Sequence, residues 1–483
     1  MQLDTRAQAR RILGLFDPES RHAILKLTVA TLGALAAVFL PGSFGYSFAD
    51  AGLSTGGQAC LGILVFAAIC WVTEALPAFA VALCVLALEI GILGRPGGVF
   101  MEAGDSKGWE VFVEPWASPI MWLFLGGFVL AHATSKVGLD RYLARIVLKQ
   151  AKGHPGRLMA GVMALTFVLS MFMSNTATAA MMVALLAPVA SGLPKGDKFA
   201  VGLYLSVPVA ANIGGIATPI GSPPNAIVLG ELVGPDKLDF LKWMIAAGPP
   251  AITMVVLLYF VLMKLYPAQQ DTIAIPESGA SDNQAPPLQG PVVVTVFLAT
   301  IALWMTGSLH GIPPAVISFL PITVLAATGV LTSQDMRQLP WDVLLLLGGG
   351  LALGVGVKIT GLAAWLAALA PTGLSFLLMV LIFMTLALVL SNLMSNTATA
   401  SILAPLAGGL IPFGESPAVI LVLIAIACSS AMCLPISTPP NAVAYASQRL
   451  QVKDFVRVGL ICSVLAPLVA VPWVFWIIPK LTG

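Results

Sequence analysis

Apolar runs of about 20 residues follow one another along nearly the whole chain, separated by short polar or Pro/Gly-bearing connections. They fall near 24–41, 57–75, 78–94, 118–140, 198–230, 241–266, 291–308, 313–330, 341–368, 417–447 and 456–479. Each is long enough to cross a hydrocarbon layer of roughly 30 Å. Inside lipid a segment must satisfy its own backbone hydrogen bonds, which leaves helices or closed barrels. The runs are continuous rather than alternating, so they predict helices. The expected fold is an all-α polytopic membrane protein with 11 transmembrane helices. Two more apolar stretches, near 158–193 and 373–412, are too long for one crossing and short for two.

The pattern repeats itself. MSNTATA stands at Met173–Ala179 and again at Met394–Ala400, and PPNA stands at Pro223–Ala226 and Pro439–Ala442. LGG at Leu125–Gly127 is answered at Leu347–Gly349, and WxT at Trp71–Thr73 is answered at Trp304–Thr306. Four landmarks in one order indicate an internal duplication. Between 267 and 290 the composition turns polar and Pro/Ser/Gln-rich, which marks a linker. The expected organisation is an N-terminal segment with the first helix over 1–56 and a first repeat over 57–266 with its hairpin near 158–193. A cytoplasmic linker over 267–290 and a second repeat over 291–483, with its hairpin near 373–412, complete it.

Charge orients the repeats. The stretch 158–193 is flanked by Lys149, Lys152 and Arg157 on one side and Lys195 and Lys198 on the other. Basic loops stay cytoplasmic, so this stretch reads as a re-entrant hairpin entering from inside, with SNTAT at its tip. The stretch 373–412 lacks basic flanks and carries Glu415, which puts its base outside. With the N-terminus inside and the C-terminus outside, only Arg95, Lys107, Lys237, Lys242, Lys358 and Lys480 fall on the outer face. An odd number of crossings between the hairpins makes the repeat inverted, and inverted repeats with broken helices are the architecture of secondary transporters.

Composition removes several classes. The chain is 58% apolar and 10% charged, with a mean hydropathy of +0.95, far from the quarter or so of charged residues in soluble domains. A net charge of +2 and no basic patch with interleaved aromatics argue against a nucleic-acid partner. Cys60, Cys70, Cys84, Cys428, Cys433 and Cys462 all lie in apolar segments and read as small hydrophobic filler. The polar, basic first residues and the long run after them read as an uncleaved first helix.

The twin motifs carry the candidate chemistry. Each hairpin puts Ser-Asn-Thr at a helix break, where free N–H groups and the positive end of the helix dipole hold anions without a charged side chain. Hydroxyls and amides add donors for carboxylate oxygens, and the same groups offer oxygens to a small cation. Ser170 and Ser391 lie one turn before Ser174 and Ser395. Gly221-Ser222-Pro223-Pro224-Asn225 and Ser437-Thr438-Pro439-Pro440-Asn441 interrupt two runs, because paired prolines unwind a helix. No Lys or Arg lies in these motifs. A dianion held there needs positive charge from solution, which points to cation coupling, with Na⁺ suiting hydroxyl and carbonyl ligands. The intramembrane candidates for proton coupling are Glu74, Glu89 and His132, none inside the motifs.

The twin SNT motifs, the GSPPNA and STPPNA loops and the WVTEALP string resemble the divalent-anion/sodium symporter family of INDY-type dicarboxylate transporters, over nearly all the chain beyond the first helix. The resemblance implies a homodimer in a bacterial inner membrane, with a scaffold and a moving transport domain working as an elevator. It implies sodium-coupled import of C4-dicarboxylates such as succinate, malate or fumarate, with no cofactor beyond co-transported Na⁺. Its substrate ligands map to Ser174, Asn175, Thr176, Ser395, Asn396, Thr397, Thr438 and Pro439, with Ser222 the symmetry mate of Thr438. Its sodium ligands map to Ser170, Ser174, Asn175 and Gly221 in one site and Ser391, Ser395, Asn396 and Ser437 in the other.

Exchange without sodium, proton coupling, and sulfate or citrate as cargo stay open, since the family includes such branches. An intramembrane hydrolase with Ser174 or Ser395 as nucleophile needs a base within reach, and His22, His132, His154 and His310 all lie away from the motifs. An anion channel is disfavoured because hairpins meeting at mid-membrane suit alternating access.

Overall fold

A computed structural model describes residues 18–95, 108–194, 196–274, 289–369, 374–409 and 415–482. Every regular element among them is helical. The chain opens with α1 (Pro18–Ser43), α2 (Thr55–Thr73) and α3 (Ala78–Leu88), the last running into a π-helical turn at Glu89–Gly94. Then come α4 (Pro119–Lys136), α5 (Leu139–Gln150), α6 (Pro155–Phe172), α7 (Asn175–Ser191), α8 (Lys198–Gly214), α9 (Pro223–Glu231) and α10 (Phe240–Leu265). The second half runs through α11 (Gln289–Met305), α12 (Phe319–Ala327), α13 (Trp341–Ile359), α14 (Leu362–Ala368), α15 (Phe376–Leu393), α16 (Asn396–Gly409), α17 (Pro417–Ser430), α18 (Pro439–Tyr445) and α19 (Val452–Leu481).

The duplication is legible helix by helix. The series α4 to α10 has the same order as α13 to α19, and α2–α3 correspond to α11–α12. Local chemistry explains the shared starts. Proline stands in the first turn of α4, α6, α9, α17 and α18, where its missing N–H is not needed. Trp71 Nε1 donates to the Ala78 carbonyl and Trp304 Nε1 to that of Pro314, so each repeat's WxT tryptophan ties its helix to the next.

Among the described residues eight helices are long and apolar enough to span a membrane, and six more apolar helices are shorter. The difference from eleven long spans has physical causes. The runs 198–230 and 417–447 are each cut in two, between α8 and α9 and between α17 and α18. The run 341–368 keeps a full-length span in α13 and breaks only after it, at Gly361, whose φ of +75° turns the chain into α14. The sequence LDRYLARIVLKQ, split in expectation between a span and a basic flank, forms the separate amphipathic helix α5. The stretches 158–193 and 373–412 both form two helices around a break. Most of the expected linker at 267–290 lies outside the described residues.

The halves lock together at close-packed glycines. A Cβ on Gly126 would stand 2.6 Å from the Ser318 side chain, and one on Gly349 2.5 Å from the Cβ of Ala82. Nearby, Asp335 joins the halves: Lys136 Nζ lies 2.6 Å from Oδ2 and His132 Nε2 3.0 Å from Oδ1. Burial alone would raise the Asp335 pKa, but hydrogen bonds from Lys136, Thr332 and His132 outweigh it and hold the carboxyl well below its usual range. His132 is thus committed to an interhelical contact. Glu89 is fully buried against Gly356 of α13, with neither carboxyl oxygen hydrogen-bonded among the described residues, and it does not line the motif chamber.

Candidate functional site

Both hairpins break in the same way. α6 ends at Met173 (φ −124°, ψ 164°) and α15 at Met394 (φ −135°, ψ 179°), and the next helices start at Asn175 and Asn396. Met173 and Met394 are extended where the two ladders stop, so the first N–H groups of α7 and α16 are free of intrahelical partners. The second breaks match as well. Ser222 precedes α9 at φ −149° and Thr438 precedes α18 at φ −138°.

The asparagines of the two PPNA strings knit these loops. Asn225 Nδ2 donates to the carbonyls of Gly215 and Thr218, both at 2.8 Å, and Asn441 Nδ2 to those of Met432 at 3.1 Å and Leu434 at 2.9 Å. Carbonyls released by the break are thereby satisfied, and the non-helical backbone is stable while buried. The loops then exchange partners across the molecule: α9 packs on α16 of the other repeat, and α18 packs on α7. Each hairpin is covered by the opposite repeat's loop helix.

This exchange encloses a cavity of about 580 Å³ at the meeting point of all four breaks. Its walls include Ser174, Asn175, Thr176 and Ser222 from the first repeat and Ser395, Asn396, Thr397, Thr438 and Pro439 from the second. The sequence-predicted substrate residues are therefore brought together in one chamber. Phe124, Phe128, Phe172 and Leu393 supply apolar wall, and among the described residues Glu74 is the one charged residue lining it. Glu74 is held as the left-handed C-cap of α2 at φ 50°. The chamber is rich in donors and carries no cationic side chain among the described residues.

The expected cation ligands separate into two unequal clusters. In the first, Ser170 Oγ contacts Asn175 Oδ1 and also lies 2.8 Å from the Ala211 carbonyl. One hydroxyl hydrogen cannot serve both acceptors. Turned over, the Asn175 amide nitrogen would donate to Ala211 at 3.3 Å and Gly221 at 3.2 Å. With its oxygen inward, four oxygens converge: Ser170 Oγ, Asn175 Oδ1 and the carbonyls of Ala211 and Gly221. Such a cage fits a small hard cation. Gly215 makes room for it, since a Cβ there would stand 2.6 Å from Asn175 Nδ2. In the second cluster Ser391 Oγ and Asn396 Oδ1 are buried without hydrogen-bond partners among the described residues. Ser437 Oγ accepts from Leu434 N and reaches the Leu434 carbonyl at 2.7 Å. Ser174 and Ser395 are exposed at the hairpin tips and line the chamber.

Sequence reasoning missed Asn212, which lines the chamber and reaches across to the second repeat. It also missed Ala211 and Thr218. A main-chain ligand has no side-chain signal, and Thr218 looks like any helix threonine. The asparagine at 212 inside an apolar run was the one available signal.

A protein-family model described as "Citrate transporter" matches residues 68–427, three quarters of the chain. The chain belongs to this family. It is a multi-pass membrane transporter, and its likeness to divalent-anion/sodium symporters holds. Among the relatives in this family group is a protein of Staphylococcus saprophyticus named "Sodium-dependent dicarboxylate transporter SdcS". It is 31% identical over 472 residues, covering 89% of this chain and 88% of the relative. The protein of that name from Staphylococcus aureus is 29% identical over 470 residues, covering 88% and 87%. Two solved structures share the fold at low identity. The YdaH transporter of Alcanivorax borkumensis aligns with a TM-score of 0.53 at 15% identity, covering 83% of this chain and 98% of that one. MtrF of Neisseria gonorrhoeae aligns with a TM-score of 0.53 at 13% identity, covering 82% and 94%.

Proposed function

We propose that this chain imports C4-dicarboxylates such as succinate, malate or fumarate, coupled to Na⁺. The observation that carries the reading is a chamber built from both repeats that offers hydroxyls, amides and helix starts but no positive side chain. Helix ends compensate only part of a dianion's charge, and the oxygen cage at Ser170, Asn175, Ala211 and Gly221 is suited to hold a cation beside it. The printed names of the relatives, sodium-dependent dicarboxylate transporters, support the same coupling. Ser174, Asn175, Thr176, Ser222, Ser395, Asn396, Thr397, Thr438 and Pro439 would hold the anion. Ser170, Ser174, Asn175 and Gly221, and Ser391, Ser395, Asn396 and Ser437, would hold the two cations, the first cage sharing the Ala211 carbonyl.

In this reading the broken helix pairs are re-entrant hairpins entering from opposite sides of a bacterial inner membrane, within eleven crossings and two repeats joined by a cytoplasmic linker. The N-terminus lies inside and the C-terminus outside. The hairpins, α8–α9 and α17–α18 move as an elevator against a scaffold, and the protein works as a homodimer. On a cysteine-free background, Ser416→Cys should react with an impermeant thiol reagent from outside and Gly196→Cys should not; the reverse pattern overturns the orientation.

The deciding experiment is radiolabelled succinate uptake into proteoliposomes under an inward Na⁺ gradient against an equal K⁺ gradient. Uptake that requires Na⁺ is the expected result. Uptake without Na⁺ that is stimulated by succinate preloaded inside would identify an exchanger. Citrate in the same assay tests the cargo named by the family description.

A further inference from the structure

The two loops that close the chamber are not equivalent, and the difference lies in who serves their hydroxyls. Thr438 Oγ1 accepts from Asn212 Nδ2 at 3.0 Å and from the backbone N–H of Asn441 at 3.3 Å. Asn212 Nδ2 also reaches Asn441 Oδ1 at 3.3 Å. A hydroxyl has two acceptor positions and one hydrogen. With both acceptor positions filled, the Thr438 hydroxyl is left as a donor, and Thr438 lines the chamber.

The symmetric place in the other half lacks this device. Counting back from the PPNA strings, the residue equivalent to Asn212 is Cys428. Ser222, the mate of Thr438, accepts only a long bond from Ser429 Oγ at 3.3 Å. Asn225 Oδ1, the mate of the acceptor that Asn212 serves at Asn441, is buried with no hydrogen-bond partner among the described residues. One amide thus serves two acceptors in one half; in the other, Ser222 keeps only the long bond from Ser429 and Asn225 Oδ1 has no partner among the described residues.

We propose that Asn212 is a positioning residue that fixes the Thr438 hydroxyl as a donor to a carboxylate of the transported anion. This rests on the chamber being the dicarboxylate site. Asn212 acts through Thr438 across the repeat boundary, so one end of the chamber is committed to an acceptor group. The Ser222 end can both donate and accept.

The test is a double-mutant cycle on the full chain in proteoliposomes, measuring KM and kcat for Na⁺-driven succinate uptake. Asn212→Cys installs the residue that the second repeat itself carries at this place; Asn212→Ala is carried through the same cycle in case the first does not fold. Thr438→Val removes the hydroxyl at nearly constant volume. Each single variant is expected to raise KM about tenfold, the scale of one hydrogen bond to a charged group, with kcat within about twofold of wild type. The double variant should be no worse than Thr438→Val alone, because a residue acting through the hydroxyl has nothing left to act on. Multiplying losses, or an unchanged KM in either single variant, overturns the proposal. Absence of Na⁺-driven succinate uptake by the wild-type chain instead defeats the functional reading, and this inference with it.

Discussion

In the first repeat the loop after α8 is tied to its hairpin by a loop side chain, Thr218, whose hydroxyl donates to the Met171 carbonyl. In the second the tie runs the other way. Asn392, at the place of Met171, accepts from the Cys433 backbone N–H at 2.7 Å. The first loop also pinches shut, because Gly215 and Gly221 touch: a Cβ on Gly221 would lie 2.6 Å from the Gly215 carbonyl oxygen. Ala431 and Ser437 occupy those places in the second loop and carry side chains. The outcome differs accordingly. Around Asn175 the Ser170 hydroxyl and the carbonyls of Ala211 and Gly221 all lie within hydrogen-bonding reach of its amide, while Asn396 Oδ1 and Ser391 Oγ are buried without partners among the described residues. Identical ligand strings therefore sit in different supports. The duplication kept the donors and let the scaffolding of each half diverge.

Three sets of variants would break or sharpen that contrast. The largest effect is expected from the shared motif itself: Asn175→Ala and Asn396→Ala should each reduce Na⁺-driven uptake to background while the protein elutes as folded material. In the proposed reading each loses an anion ligand and a cation ligand, at roughly 1.5–3 kcal/mol per charged hydrogen bond. Full activity in either variant would remove that half from the site.

An intermediate effect is expected from the pinch. Gly221→Ala must push two backbone segments apart and should raise the Na⁺ concentration for half-maximal uptake about tenfold, an overpacking cost of roughly 1–3 kcal/mol. Ser437→Ala, at the equivalent place, should move it less than about threefold. Equal shifts would mean that the two cation clusters are built alike after all.

The smallest effect should come from the ties. Thr218→Val and Asn392→Leu each remove two side-chain hydrogen bonds, one of them the tie, at about 1 kcal/mol apiece, and should each lower the thermal unfolding midpoint in detergent. Their effects should add, since the ties lie in separate loops with no shared partner. A double variant no worse than one single variant would show that the loops are held as a unit.

Much of this site was legible in the linear chain because it is written twice. Identical strings at 173–179 and 394–400 named residues that line the chamber, and paired prolines at 223–224 and 439–440 named the unwound places. Proline acts on its own backbone and the preceding turn, so its effect is local and readable. The break at Gly361 was less visible, since a lone glycine in an apolar run reads equally well as a packing residue. The amphipathic α5 was obscured because its apolar face continues the run before it.

The sequence by itself determined that the chain lives in a membrane, that it consists of two copies of one plan, and which polar groups stand at its helix breaks. These depend on hydropathy, repetition and local backbone chemistry. Only the tertiary structure decided that the four breaks meet in one chamber, that α9 and α18 cross to the opposite repeat, and that Asn212 serves a hydroxyl more than two hundred residues away. Contacts of that kind are set by how whole helices pack. They leave no periodic trace in either partner, and the carbonyls of Ala211 and Gly221 leave none at all, because every residue has one.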